Sequence, residues 1–159
     1  MAYVDILVHA VWGTKHRQPL LRGNLLDIVC DHIRENAKEK QFFIREINGY
    51  DDHLHLLMAL KADWSISKHL QMIKGESAYW INKKKLLPAR FSWADEYYAA
   101  SVGKDELHRV TAYIRNQREH HRQLSFTEEY ERLIDELRSS QGYNPGLQAG
   151  ERSKSGNGL

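Results

Sequence analysis

The chain has 159 residues, 42% hydrophobic and 28% charged, enough for one domain with one core and too polar for a membrane protein. It lacks a run of roughly 18 apolar residues and the basic start and cleavage site of a secretion signal; its one cysteine, Cys30, excludes a disulfide scaffold and a four-cysteine zinc site, so a cytoplasmic location is expected. The net charge of +2, with nine histidines uncounted, argues neither for nor against a nucleic-acid partner.

Residues 3–12 (YVDILVHAVW) are apolar and β-branched and predict a strand. Asn24 offers an N-cap, and Leu25, Leu26, Val29 and Ile33 form the stripe of a helix reaching about Lys40. Residues 42–50 and 53–61 are strand-like runs separated by Asp51 and Asp52, a hairpin signal. From Ser65 a helix with Ile66, Leu70, Ile73, Ser77 and Ile81 facing inward extends to about Leu86, stopped by Pro88. Residues 93–103 predict a weaker strand ending at Gly103, and Asp105 opens a helix through about Gln123. Ser125 with Glu128 forms a capping box for a last helix carrying Tyr130, Leu133, Ile134 and Leu137 on one face. Gly142 ends it, and residues 141–159, rich in Gly, Ser and Asn, are expected to be a disordered tail on a single domain spanning 1–140.

The order β-α-β-β-α-β followed by two helices predicts an α+β, ferredoxin-like fold. It has a four-stranded antiparallel sheet with helices on one face, leaving the other face for a site, and C-terminal helices.

Charge is unevenly spread. Residues 1–126 hold 19 basic and 15 acidic side chains, and 127–159 hold 4 and 6. Within 64–90, Lys68, Lys74, Lys83, Lys84, Lys85 and Arg90 face only Glu76, and a second basic cluster is Arg109, Arg115, Arg118, His120, His121 and Arg122. Such patches suit phosphate backbones and equally suit a solvated helix face. The interleaved aromatics Trp64, Tyr79, Trp80, Trp93, Tyr97 and Tyr98 tilt the balance toward single strands, whose bases stack on such rings.

His53 and His55 lie two apart on a strand, so both side chains leave one face of the sheet. Two hydrogen-bonded, half-buried histidines would satisfy that pattern as well as two metal ligands. In the helix after Asp105 the apolar stripe is Leu107, Val110 and Ile114; Gln117 falls about 20° from Val110 and Tyr113 about 60°. A glutamine there needs a partner for its amide, since burying an unsatisfied polar group costs about 1–3 kcal/mol. Tyr113 and Gln117 are also an i, i+4 pair, so hydroxyl and amide project as neighbours. Two imidazoles and an amide oxygen make a mixed site that suits Mg²⁺ or Mn²⁺, and a tyrosine beside such an ion could attack a phosphodiester.

The stretch GYDDHLHLLMAL (49–60), together with Tyr113-Ile-Arg-Asn-Gln117-Arg-Glu-His-His, resembles the HUH (His-hydrophobic-His) single-tyrosine transposases, the small TnpA-type enzymes of bacterial insertion sequences. The resemblance extends over roughly residues 3–138. It implies a domain that acts on single-stranded DNA with a divalent ion and without ATP. His53 and His55 match the metal histidines, Gln117 the third ligand and Tyr113 the nucleophile, which forms a 5′-phosphotyrosine and leaves a 3′-OH for strand transfer and rejoining. It further implies recognition of hairpin ends and a homodimer joined through the fourth strands, with each site completed in trans by the partner's tyrosine helix. Gly103 would serve there as hinge or as a plain helix boundary.

Lys83, Lys84, Lys85, Arg90, Arg118 and His121 are the candidate DNA-backbone contacts, with His120 likewise expected at the surface or on DNA. Asp52 is either a partner that orients an imidazole or a turn former, like Asp51. Tyrosine's ordinary pKa is about 10, so a base is needed, and the sequence does not single one out.

A domesticated relative associated with repeated palindromes would share the H-x-H and the tyrosine. Two readings from other classes are a non-catalytic single-strand-binding module, disfavoured because His53 and His55 stand where its stacking aromatics belong, and a phosphoesterase using water, with Tyr113 structural.

Overall fold

The computed structural model describes residues 1–139. The expected tail and the helix end at Gly142 lie outside these residues. Two compact units divide the chain after Phe126.

The first unit contains β1 (Leu7–Gly13), α1 (Leu25–Glu39), β2 (Phe43–Tyr50), β3 (His53–Ala59), α2 (Ile66–Lys83), β4 (Tyr98–Val102), α3 (Leu107–Arg115) and α4 (Gln117–His120). The strands form one sheet in the order β2-β3-β1-β4 with all neighbours antiparallel. This is the predicted ferredoxin-like arrangement.

Strand alternation sorts the sheet into two faces. Val8, Ala10, Trp12, Leu54, Leu56 and Met58 point one way and bury against Leu26, Val29 and Ile33 of α1 and Leu70, Ile73 and Ile81 of α2. Residues one position out of phase with them, His9, Val11, Gly13, His53, His55 and Leu57, share the opposite face by register. That face is not left bare as expected: Ile114 of α3 packs on Leu7, Leu57 and Val102, with Leu107, Val110 and Tyr113 at the margin. Tying down the apolar stripe of α3 required a second apolar surface, and the sheet supplied it.

Several boundaries differ from the sequence expectation. Ser65 caps α2 through its hydroxyl, which accepts from Lys68 N at 3.1 Å, whereas Asn24 stands at the N-cap of α1 without a side-chain cap bond. α2 stops at Lys83, ahead of Pro88, because Lys85 turns left-handed (φ 51°) and Leu86 N bonds back to Ile81 O at 3.1 Å. α1 ends the same way, with Gln41 at φ 62° and Phe42 N bonded to Ala37 O at 3.1 Å. The strand expected over 93–103 is shorter: Trp93 joins the sheet only through a bridge to Thr14, and β4 begins at Tyr98.

The single helix expected from Asp105 to Gln123 is broken. A 3-10 turn over Lys104–Glu106 leads into α3, and Asn116 (φ −91°, ψ 16°) separates α3 from α4. Gln117 Nε2 donates to Tyr113 O at 3.2 Å, the carbonyl that an unbroken helix would offer to the Gln117 backbone N–H. Gly103 has ordinary extended backbone (φ −73°, ψ 157°) at the start of that turn.

The described part of the second unit continues α5 (Phe126–Ser139), which starts directly after Ser125 as the capping signal predicted. Its last turn carries an Arg138–Asp135 ion pair at 3.7 Å. No described helix is long and apolar enough to cross a membrane.

Candidate active site

The hairpin between β2 and β3 sets the first part of the site. Tyr50 pairs with His53, so Asp51 and Asp52 form a two-residue turn. Its carbonyls are held from outside: Leu21 N donates to Asp51 O at 2.7 Å and Thr14 N to Asp52 O at 2.8 Å. His53 and His55, both fully buried, stand side by side on the site face with ring centroids 5.1 Å apart.

α3 and α4 close over these rings. Tyr113 is half-buried with its ring 5.6 Å from that of His55, and Gln117, fully buried, presents Oε1 at 3.1 Å from His53 Nε2. Because Gln117 Nε2 faces a carbonyl, the assignment of its oxygen toward the histidines is chemically fixed. Asp52 Oδ1 lies 2.8 Å from His53 Nδ1, the geometry of an orienting carboxylate.

Three contributors were not anticipated: His9, Asn48 and Glu46. His9, buried on β1, sets Nε2 2.9 Å from His55 Nδ1. Asn48, paired with His55 across β2 and β3, donates its amide to Ile114 O at 3.1 Å and Arg115 O at 3.0 Å and so fastens the end of α3. Below it, buried Glu46 receives Arg115 Nε at 2.7 Å and Arg34 at 3.4 Å.

His121 does not stand at the surface as expected. It is buried, its Nε2 lies 3.0 Å from Gln117 Oε1, and its ring stacks on Tyr50 at 5.5 Å. The reason is local: the His121 N–H bonds back to Gln117 O at 3.0 Å, so the turn that buries Gln117 also carries His121 inward. His120 is half-buried with its ring 5.3 Å from Tyr113.

A divalent cation fits these donors. His53 donates its Nδ1–H to Asp52, so a neutral ring points an Nε2 lone pair at Gln117 Oε1, which is itself an acceptor. Two acceptors 3.1 Å apart require a cation between them or a second proton on the ring.

The remaining expected DNA contacts lie elsewhere. Lys83, Lys84, Lys85 and Arg90 are exposed at the end of α2 and just after it, on the helix-covered side of the sheet. Lys85 and Arg90 line a groove of about 1460 Å³ there, together with Lys74, Tyr79 and Tyr97. Burial holds the Lys74 ammonium below the usual lysine range, and its Nζ reaches Asp95 O at 3.1 Å. Arg118 is exposed and paired with Asp27 at 2.7 Å. α3 lies over the sheet of its own chain, with Ile114 on Leu7, Leu57 and Val102.

A model of the family described as "Transposase IS200 like" matches residues 2–117. The ISDra2 transposase TnpA of Deinococcus radiodurans is 26% identical over 115 residues, 69% of this chain and 81% of that protein. The transposase for insertion sequence element IS200 of Salmonella typhimurium is 27% identical over 116 residues, 70% of this chain and 76% of that protein. Among solved structures, a Deinococcus radiodurans protein assigned as a transposase superposes with a TM-score of 0.59 at 24% identity, over 74% of this chain and 95% of that one. A REP-associated tyrosine transposase bound to a REP hairpin gives 0.57 at 14% identity, over 76% and 71%. These two show the fold. With the family match spanning the sheet, the paired histidines and the tyrosine helix, the chain belongs to the IS200-like family of HUH single-tyrosine DNA transposases.

Proposed function

We propose that the chain cuts and rejoins single-stranded DNA at hairpin-bearing ends, with Tyr113 as nucleophile and His53, His55 and Gln117 holding a divalent cation. The observation that carries this reading is the convergence of Tyr113 and Gln117, from the α3–α4 region, on the two strand-borne histidines.

The Tyr113 oxygen attacks phosphorus as the bond to the 3′ oxygen breaks, giving a 5′-phosphotyrosine and a free 3′-OH. A later 3′-OH attacks that linkage, releases Tyr113 and joins strands. One ester is exchanged for another at each step, so ATP has no part. The cation, when bound, polarises the phosphodiester. Asp52 orients His53, and the Gln117 amide, anchored on the Tyr113 carbonyl, keeps its oxygen toward the histidines. Apolar packing of Ile114 on Leu7 and Leu57 holds the tyrosine helix down.

Lys83, Lys84, Lys85 and Arg90 contact the DNA backbone of a hairpin on the helix-covered side, and Arg118 serves the strand leading to the site. A second copy pairs along β4, an edge strand of the sheet. Exchange of α3 between copies through Gly103 would first have to break the Asn48 and Glu46 contacts.

The test is incubation with Mn²⁺ and an oligonucleotide carrying an imperfect palindrome from the DNA flanking the coding sequence. A covalent protein–DNA adduct that disappears in Tyr113→Phe is the expected result. Turnover without an adduct would instead indicate water as nucleophile, and binding alone a non-catalytic module.

A further inference from the structure

All three histidines of the cluster have the same side of the ring engaged. His53 Nδ1 faces Asp52 Oδ1 at 2.8 Å, His55 Nδ1 faces His9 Nε2 at 2.9 Å, and His121 Nδ1 faces the carbonyl of Leu124 at 2.6 Å. A carboxylate and a carbonyl only accept, so His53 and His121 must carry the proton on Nδ1. His55 can do likewise by donating Nδ1–H to His9. Each neutral ring then has its lone pair on Nε2.

Those of His53 and His121 point at one atom, Gln117 Oε1, from 3.1 and 3.0 Å. His53, His55 and His121 each offer a ring nitrogen within 4.8 Å of the others. Separations near 3 Å are what neighbouring ligands show around an ion bound at about 2.0–2.2 Å. Holding Nδ1 on a second group is also how proteins fix the metal-facing nitrogen of a histidine.

We infer that His121 is a third imidazole ligand beside His53, His55 and the Gln117 amide oxygen, and that the centre selects a transition ion over Mg²⁺. This rests on the metal-dependent reading above and adds to it the class of ion. Mg²⁺ takes oxygen ligands and keeps several waters, whereas imidazole-rich sets suit Mn²⁺, Co²⁺ and Zn²⁺ in rising order. His9 is then a positioning residue for His55, and Leu124 plays that part for His121.

The experiment is calorimetric titration of chelator-stripped full-length protein with Mg²⁺, Mn²⁺, Co²⁺ and Zn²⁺, with X-ray absorption at the zinc edge. Zn²⁺ should bind on the order of 100-fold more tightly than Mg²⁺. The wild-type absorption fine structure should report three imidazoles, falling to two in His121→Ala, with affinity down by at least roughly tenfold. Two imidazoles in the wild type, or unchanged affinity in His121→Ala, would overturn the inference. The wild-type spectrum decides the matter even if the variant does not fold. If His53→Ala binds ions like wild type, the metal reading itself fails; if His53→Ala loses binding while His121→Ala keeps it, only the third ligand is wrong.

Discussion

A Cβ added at Gly49 would overlap the carbonyl oxygen of His53 and meet Leu54 Cδ2 at 3.0 Å. The neighbour in the way is backbone, which cannot swing aside as a side chain can. Gly49→Ala should therefore lower stability by about 1–3 kcal/mol, read as a lower urea midpoint at unchanged slope. Cys30 offers a second single-residue check. Burial in the helix-side core pushes its thiol up to about 12, so almost no thiolate exists at pH 8. It should resist a thiol reagent in the native state and react once the protein unfolds. His53, His55, Tyr113 and Gln117 could be picked out from spacing because period 2 and period 3.6 each place such residues on one face. His121 obeyed the same rule and was still assigned to the surface, because its neighbours Arg118 and Arg122 made it look like part of a charged patch. His9 carried a quieter signal, a histidine within an apolar strand where a polar ring must find a partner.

α3 shows where sequence patterns stop being informative for an element. Its stripe of Leu107, Val110 and Ile114 predicted an amphipathic helix, and these residues do bury against the sheet. The break at Asn116 depends on a side chain taking a backbone acceptor, and the anchoring by Asn48 and Glu46 depends on residues more than 60 positions away; neither is encoded in local periodicity. Asn48→Ala removes two bonds to the last carbonyls of α3 and should cost roughly 1 kcal/mol. Faster amide exchange in α3 than in β3 would show the loss is local. At the end of α1, Gln41 occupies left-handed backbone (φ 62°) that a side chain disfavours. Gln41→Gly should raise stability by about 0.5–1 kcal/mol, visible as a higher melting temperature.

For the molecule as a whole, the order of strands and helices followed from patterning because each element had one apolar face and only a few topologies pair such faces. Charge was harder to read. The net of +2 is an average over a basic rim beyond α2 and acidic stretches elsewhere, and only the fold shows that this rim and the histidine cluster occupy opposite sides of the sheet. If the rim holds DNA backbone, replacing Lys83, Lys84 and Lys85 with alanine should reduce the slope of log affinity against log salt. The expected drop is about 0.7–0.9 for each lysine that contacts a phosphate, and an unchanged slope would place the DNA elsewhere.

The Asp51–Asp52 turn, pinned through both carbonyls to Thr14 and Leu21, has a consequence for how such a chain can vary. Side chains alternate along a strand, so one residue inserted or deleted between Tyr50 and His53 would slide the pairing by a step and turn both imidazoles into the apolar core. The length of this turn is therefore under the same constraint as the histidines themselves, although neither aspartate need touch DNA.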